Sequence, residues 1–104
     1  MAFKRLEKKG IPRFLVDERL SEGRLSIHRS TLPPGASSHD PHTHGGVEAF
    51  VIVKGPATLE VDGQTEELRE MEAMVVDAEV PHTIHNRSGD EIEYIVIQSS
   101  EGTP

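Results

Sequence analysis

Turn-forming residues divide this chain into short segments, and no other feature of the sequence constrains the fold as strongly. The turns fall at Pro33-Pro34-Gly35, Gly45-Gly46, Gly55-Pro56, Asp62-Gly63 and Ser88-Gly89-Asp90. The segments between them are rich in Val, Ile, Leu and Thr, whose side chains fit a pleated surface. Short segments of this kind, separated by Gly, Pro and Asp, are typical of an antiparallel sandwich or barrel. The sequence therefore predicts an all-β fold.

The predicted strands cover residues 13–16, 24–32, 47–54, 57–61, 73–77, 82–86 and 92–98. Asp62-Gly63 is a typical two-residue hairpin turn. One stretch is ambiguous, because Leu68, Met71 and Met74 lie three residues apart among good helix formers. That spacing leaves a helical turn as the alternative for residues 66–74.

At 104 residues the chain is expected to form one domain, 1–104, with a barrel core at about 24–98 and peripheral segments at 1–10 and 99–104. A net charge of −7 argues against a nucleic-acid partner. The absence of cysteine excludes disulfides, thiol nucleophiles and cysteine-ligated metal sites. Neither a signal-peptide pattern nor an apolar run long enough to span a membrane is present, so a cytoplasmic location is expected.

Charge is unevenly distributed along the chain. Residues 1–31 hold eight basic and four acidic side chains, a balance of +4, whereas residues 32–104 hold three basic and fourteen acidic ones, a balance of −11. We expect the basic segment to lie across an acidic body, either its own or that of a partner chain.

Histidines point to a metal site. His42 and His44 share one face of an extended chain, and Glu48 has the same parity four residues further on. A further nitrogen has to come from another strand, for which His82 is the best candidate. Three imidazoles and one carboxylate suit one divalent transition metal ion per chain, with iron expected first and manganese, nickel, zinc and copper as alternatives. The competing interpretation is an ordinary polar loop that contains two histidines.

These residues resemble the cupin superfamily, and in particular its small single-domain members. The first cupin motif is matched by Gly35, His42, His44, Glu48 and Gly55, with one extra residue after the first glycine. The positions of the second motif fall on Met71, Asp77, Glu79, His82 and Asn86. Only His82 and Asn86 keep the family residue there, so the turn before His82 must form without the usual glycines and proline.

The resemblance implies a jelly-roll β-barrel of six to eight mostly antiparallel strands. It also implies a metal bound inside the barrel by His42, His44, Glu48 and His82. Cupins bind small molecules and often pair as homodimers, partly by exchanging N-terminal strands, which would suit the charge asymmetry. No membrane partner is expected.

Three further residues are candidates for acid–base catalysis in the pocket: His28, His39 and Tyr94. In the strand at 24–32, Leu25 and Ile27 share one face, and we expect the polar face with His28 to meet solvent, with the cavity as the alternative. For His39 we expect an ordinary loop histidine, with a gate or a fifth ligand as the alternative. For Tyr94 we expect a packing role, with acid–base catalysis as the alternative.

Other side chains complete the predicted surroundings of the metal. Phe50 and Ile52 share the parity of Glu48 and are expected to form an apolar lining. His85 has the opposite parity to His82 and is expected at the surface, whereas Asn86 is expected to be structural.

Fold and metal do not by themselves select a reaction. Our leading hypothesis is an iron-dependent oxygenase or dioxygenase acting on a small polar organic molecule. The alternatives are a metal-dependent isomerase, lyase or decarboxylase acting on a sugar or organic acid, and a non-catalytic small-molecule binding module.

Overall fold

A computed structural model describes Lys8–Lys9, Arg13–Phe14 and residues 25–99 of the chain. The expected position of the basic segment across an acidic body lies largely outside these residues. So do most of the segments expected to be peripheral, although Ser99 is the last residue of a long strand.

The described residues form nine strands and no helix. The strands are β1 (Lys8–Lys9), β2 (Arg13–Phe14), β3 (Leu25–Leu32), β4 (Val47–Lys54), β5 (Ala57–Val61), β6 (Gln64–Leu68), β7 (Ala73–Asp77), β8 (His82–His85) and β9 (Ile92–Ser99). They pair antiparallel into a six-stranded sheet, ordered β1-β2-β3-β9-β4-β7, and a three-stranded sheet, ordered β6-β5-β8. The predicted all-β, antiparallel class is confirmed.

Residues 66–74, for which a helical turn was the alternative, contain no helix: they run from the end of β6 through a turn at residues 70–71 into β7. Only residues 66–68 of this stretch belong to strand β6. This strand pairs with β5 through the predicted hairpin, whose turn residues Asp62 and Gly63 have φ of 53° and 78°. Positive φ at both positions is the requirement of a type I′ turn. Leu68 is buried against β5 while the rest of β6 is exposed, so pairing with β5 outweighs the helical preference of the glutamates.

The hydrophobic core lies between the inner faces of the two sheets. Its most deeply buried aliphatic side chains are those of Ile52, Leu59, Ile84 and Ile92. Asn86 is also buried, and its amide donates to the carbonyl oxygens of Leu32 and Asp90 at 2.9 and 2.7 Å. The structural role expected for Asn86 is therefore observed.

The outward side of the six-stranded sheet carries an unusual number of apolar side chains. Cross-strand pairing places them side by side, since directly opposed residues point to the same face. We call this surface the outer apolar face; it consists of Leu25, Ile27, Val47, Ala49, Val51, Ala73, Val75, Ile95 and Ile97.

The orientation of β3 corrects one prediction. The polar face with His28 was expected in solvent, but His28 faces inward and Leu25 and Ile27 face outward. The physical reason is that the interior of the barrel at this end is a polar cavity rather than packed core, so polar side chains line it.

Candidate metal centre

Three separate elements bring together four side-chain groups that could hold a metal ion. His42 and His44 come from the loop between β3 and β4, Glu48 from β4, and His82 from the start of β8. One ligand atom from each lies within 4.8 Å of every other. Glu48 and His82 are buried, His44 is half-buried and His42 is exposed, so the group opens outward on the side of His42.

Backbone hydrogen bonds hold the histidine loop against the barrel. His42 and His82 exchange two of them, at 3.2 and 3.0 Å, which places their side chains next to each other. The His44 amide donates to the carbonyl oxygen of Ala78 at 2.8 Å, and the Ala78 amide donates to that of Gly46 at 3.0 Å. Backbone hydrogen bonds therefore bring the first cupin motif, with His42 and His44, next to the second, with His82.

The carboxylate of Glu48 lies between two imidazoles. Its oxygens are 2.9 Å from Nε2 of His44 and 3.0 Å from Nε2 of His82. Nδ1 of His82 is 2.8 Å from the carbonyl oxygen of Val80 and must donate to it, which leaves an unprotonated Nε2 in the neutral ring. That nitrogen is fully buried, faces a carboxylate and has no hydrogen-bond partner.

Two buried acceptors face to face are unfavourable unless a cation lies between them. The donor set fits a divalent metal: ligands placed about 2.1 Å from one ion lie at most about 4.2 Å apart, so small side-chain movements would close the observed group around it. His42, His44, Glu48 and His82 would hold that ion.

Electrostatics keep His42 in the form that binds metals. Partial burial lowers the pKa of its imidazole below the ordinary value of 6.5, and the neighbouring histidines lower it further, while the Glu48 carboxylate acts in the opposite direction. A lowered pKa favours the neutral ring, whose free nitrogen is the ligand.

The turn before His82 forms without the glycines and proline of the family motif. The side chain of Asp77 accepts a hydrogen bond from the Glu79 amide at 3.0 Å, and its carbonyl oxygen accepts one from Val80 at 3.1 Å. Met71, at a glycine position of the motif, has a φ of 63°, in the left-handed region. The backbone at this position, in the turn before β7, therefore has a conformation that glycine adopts more easily than other residues.

A cavity of about 430 Å³ adjoins the four groups. Its lining consists of His28, Ser30, Ser38, His39, His42, His44, Glu48, Phe50, Ile84, Tyr94, Val96 and Gln98. All three acid–base candidates are therefore in the cavity wall, and so is Phe50. Ile52 was expected beside Phe50 but is fully buried in the core.

Sequence reasoning missed Ser30, Ser38 and Gln98. Strand alternation groups two of them with candidates already named, since Ser30 has the parity of His28 and Gln98 that of Tyr94, but it does not show that these faces line the cavity. Gln98 lies directly opposite Glu48 in the sheet, and its amide nitrogen is 3.2 Å from Nδ1 of His44.

The remaining candidates have distinct surroundings. The Tyr94 hydroxyl has its pKa raised above 10.0, chiefly by burial and also by the Glu48 charge, while a hydrogen bond with Ser30 opposes the shift. Tyr94 is thus a proton donor at neutral pH. The His39 ring lies 3.7 Å from that of His42 between centroids, outside the group of four. His85 bonds Ser37 and Glu60 instead of this site.

The fold and the site define a cupin. The family model for the cupin domain matches residues 28–98, and the chain belongs to that family. No curated protein sequence matches the chain.

Solved cupin structures show the same architecture. A cupin protein from Bacteroides fragilis is 22% identical, with a TM-score of 0.75 over 98% of this chain and 90% of the other. The cupin domain of an XRE-family transcriptional regulator from Enterobacter cloacae is 26% identical, with a TM-score of 0.67 over 78% and 83%. A predicted oxalate decarboxylase from Thermotoga maritima is 20% identical, with a TM-score of 0.71 over 82% and 75%. Within the described residues, no helix has the length and apolar character needed to cross a membrane.

Proposed function

We propose that this cupin is a metal-dependent enzyme acting on a small polar organic molecule, with the ion held by His42, His44, Glu48 and His82. The observation that supports this most strongly is the buried Nε2 of His82, which faces the Glu48 carboxylate without a hydrogen-bond partner. The adjoining cavity has room for a small substrate beside the ion.

Oxygenase or dioxygenase chemistry with Fe(II) is our first choice of reaction. The four protein groups would hold the ion, and a bound iron would supply a site where substrate and O₂ meet. The protein's own part is to orient the substrate between the polar wall, with His28 and Gln98, and the apolar wall, with Phe50. Glu48 would tune the ion, or would dissociate from it and so leave room for a further ligand.

Isomerase, lyase or decarboxylase chemistry is the second candidate, and one observation favours it specifically. It needs a protein group that moves a proton near the substrate, and the cavity wall offers His28, His39 and Tyr94. Tyr94 keeps its proton at neutral pH, because burial raises its pKa, so it is available there as a proton donor and not as a base. The Thermotoga maritima neighbour, described as a predicted oxalate decarboxylase, is compatible with this chemistry.

A non-catalytic binding module is the remaining alternative; one structural neighbour is a domain of a transcriptional regulator. An entirely apolar lining would favour binding alone. The lining here includes several polar groups that do not belong to the metal-binding set, which favours catalysis.

Nitric oxide tests the oxygenase assignment without a known substrate. Protein loaded with Fe(II) under anaerobic conditions is expected to bind nitric oxide at a free position, giving the electron paramagnetic resonance signal of a ferrous nitrosyl. Oxygen consumption would then be screened with small organic acids and polyols. An iron-loaded protein that binds no nitric oxide would contradict the oxygenase and leave the second candidate. Zinc, manganese or nickel in the purified protein in place of iron would also favour the second candidate.

The proposal also includes a homodimer in the cytoplasm. The outer apolar face supports pairing with a second copy, because an apolar surface is complementary to itself under two-fold symmetry. Val47 and Val75 on this face are 44% and 69% exposed, more than isolated surface valines require. Arg29 and Glu93, on the same side of the sheet, pair with each other and so add little net charge to the contact.

A further inference from the structure

A second cluster of reactive side chains lies on the outer side of the three-stranded sheet. One ring nitrogen of His85, Nδ1, is 2.5 Å from the hydroxyl oxygen of Ser37. The other, Nε2, is 2.8 Å from a carboxylate oxygen of Glu60. Ser37 is exposed, whereas His85 and Glu60 are half-buried. His85 points away from the metal centre, so this cluster is separate from it.

Paired backbone holds the three residues in place. Glu60 is on β5 and His85 is on β8, which are hydrogen-bonded neighbours. Ser37 forms a β-bridge with His85, flanked by hydrogen bonds from the Ser38 amide to Ile84 at 3.0 Å and from the Asn86 amide to Ala36 at 2.8 Å. The alignment of hydroxyl, imidazole and carboxylate therefore does not depend on a free loop.

The hydrogen bonds assign a role to each group. The Glu60 carboxylate can only accept, so Nε2 of His85 carries a proton and donates it to Glu60. In the neutral ring Nδ1 then has a lone pair and accepts the hydrogen bond from the Ser37 hydroxyl. A serine bonded to the basic nitrogen of a histidine, which a carboxylate orients through the other nitrogen, is the arrangement that activates serine nucleophiles.

We propose that Ser37 is an activated nucleophile and a modification site for activated acyl donors such as aryl esters. In the reaction the Ser37 oxygen forms a bond to the acyl carbon while its proton passes to Nδ1 of His85. The bond from that carbon to the leaving oxygen then breaks, and the leaving group takes up the proton. The products are an ester on Ser37 and a free alcohol or phenol.

Acetylation by p-nitrophenyl acetate tests this with the full chain, both as purified and after treatment with a chelator. Peptide mass spectrometry is expected to find acetyl groups on Ser37 at least about tenfold faster than on Ser38 or Ser88. These serines are internal controls, because their hydroxyls bond Thr83 and Asn86 rather than a histidine. His85→Ala is expected to slow the labelling of Ser37 about tenfold, and Glu60→Gln to slow it less. Labelling of Ser37 at the rate of the other serines would overturn the proposal.

A thiol probe gives a second readout that leaves His85 and Glu60 intact. The chain contains no cysteine, so Ser37→Cys introduces a single thiol. Next to His85 that thiol is expected to react with iodoacetamide at a lower pH than the thiol of the control variant Ser88→Cys, since a neighbouring imidazole stabilises the thiolate. Identical pH profiles for the two variants would contradict the proposal. Neither experiment needs a metal. The proposal for Ser37 and the proposed metal-dependent function can therefore be contradicted independently of each other.

Discussion

The single tyrosine gives a direct test of the cavity at the scale of one residue. Burial raises the pKa of the Tyr94 hydroxyl above 10.0 in the folded protein, whereas an unfolded chain titrates near its ordinary value. Above that value the unfolded state loses its proton first, so the free energy of unfolding decreases as the pH rises above about 10. We expect the free energy of unfolding of the Tyr94→Phe variant to decrease less over the same rise in pH.

Tyrosinate absorbance measures the pKa of Tyr94 without interference, because the chain has one tyrosine. The midpoint in the folded protein is expected above 10.0, and that of the chain in denaturant near the ordinary value. A folded-state midpoint at or below 10.0 would show that the hydroxyl is solvated rather than buried.

Met71 stands at a position where the cupin motif has a glycine. Its φ of 63° is costly for a residue with a β-carbon, and its side chain is 80% exposed and contributes little packing. We expect Met71→Gly to raise the free energy of unfolding by about 0.5–1 kcal/mol, as measured by chemical denaturation. The matched change Met74→Gly, in strand β7, is expected to lower it. Stabilisation by both changes, or by neither, would mean that strain at Met71 is absent.

Residue types and their parity predicted much of the site. His42, His44, Glu48 and His82 come together as the alternation and the motif indicated. The same alternation could not decide which face of β3 is inward, because hydrophobicity points the wrong way when a polar cavity faces an apolar outer surface. His28, Ser30 and Gln98 needed the structure for this reason.

At the scale of elements, β8 fastens the histidine loop through Thr83. Its hydroxyl is fully buried and donates to the carbonyl oxygen of His39 at 2.7 Å. Since that proton is used, the Ser38 hydroxyl must donate to Thr83 across the 3.2 Å between them. These hydrogen bonds thus anchor the start of the loop that carries His42 and His44.

Thr83→Val keeps the shape of this side chain but removes both bonds. We expect a loss of about 1–3 kcal/mol in the free energy of unfolding, since buried partners are left unpaired. Weaker metal binding in a competition titration is expected as well. Thr58→Val, at a half-buried position on β5, is the matched control and is expected to change neither quantity much. Equal behaviour of the two variants would show that the Thr83 hydroxyl does not anchor the loop.

Element boundaries followed closely from turn chemistry, and β4, β5 and β7 begin and end where the sequence predicted them. Strand β6 was not predicted, because its glutamates favour helix locally and only pairing with β5 makes them a strand. The local conformational preferences of these residues do not show that the hairpin places β5 beside them.

At the scale of the whole molecule, the outer apolar face predicts the oligomeric state. Val75 is 69% exposed, so Val75→Glu places a charge in the proposed contact at little cost to the monomer. Analytical ultracentrifugation is expected to give twice the 11.5 kDa chain mass for the native protein and a monomer for the variant. Gln64→Glu adds the same charge on β6, outside this face, and is expected to leave the dimer intact. A native protein that sediments as a monomer would contradict the proposal.

Metal content tests the central claim most directly. Elemental analysis would be made on protein purified without oxygen, chelators or an affinity tag. We predict about one transition metal ion per native chain, and little metal in the His42→Ala and Glu48→Ala variants. The control Glu66→Gln, which removes an exposed carboxylate on β6, is predicted to retain the metal. If His42→Ala and Glu48→Ala both keep the metal content of the native protein, the site is assigned to the wrong residues and the proposed function loses its basis.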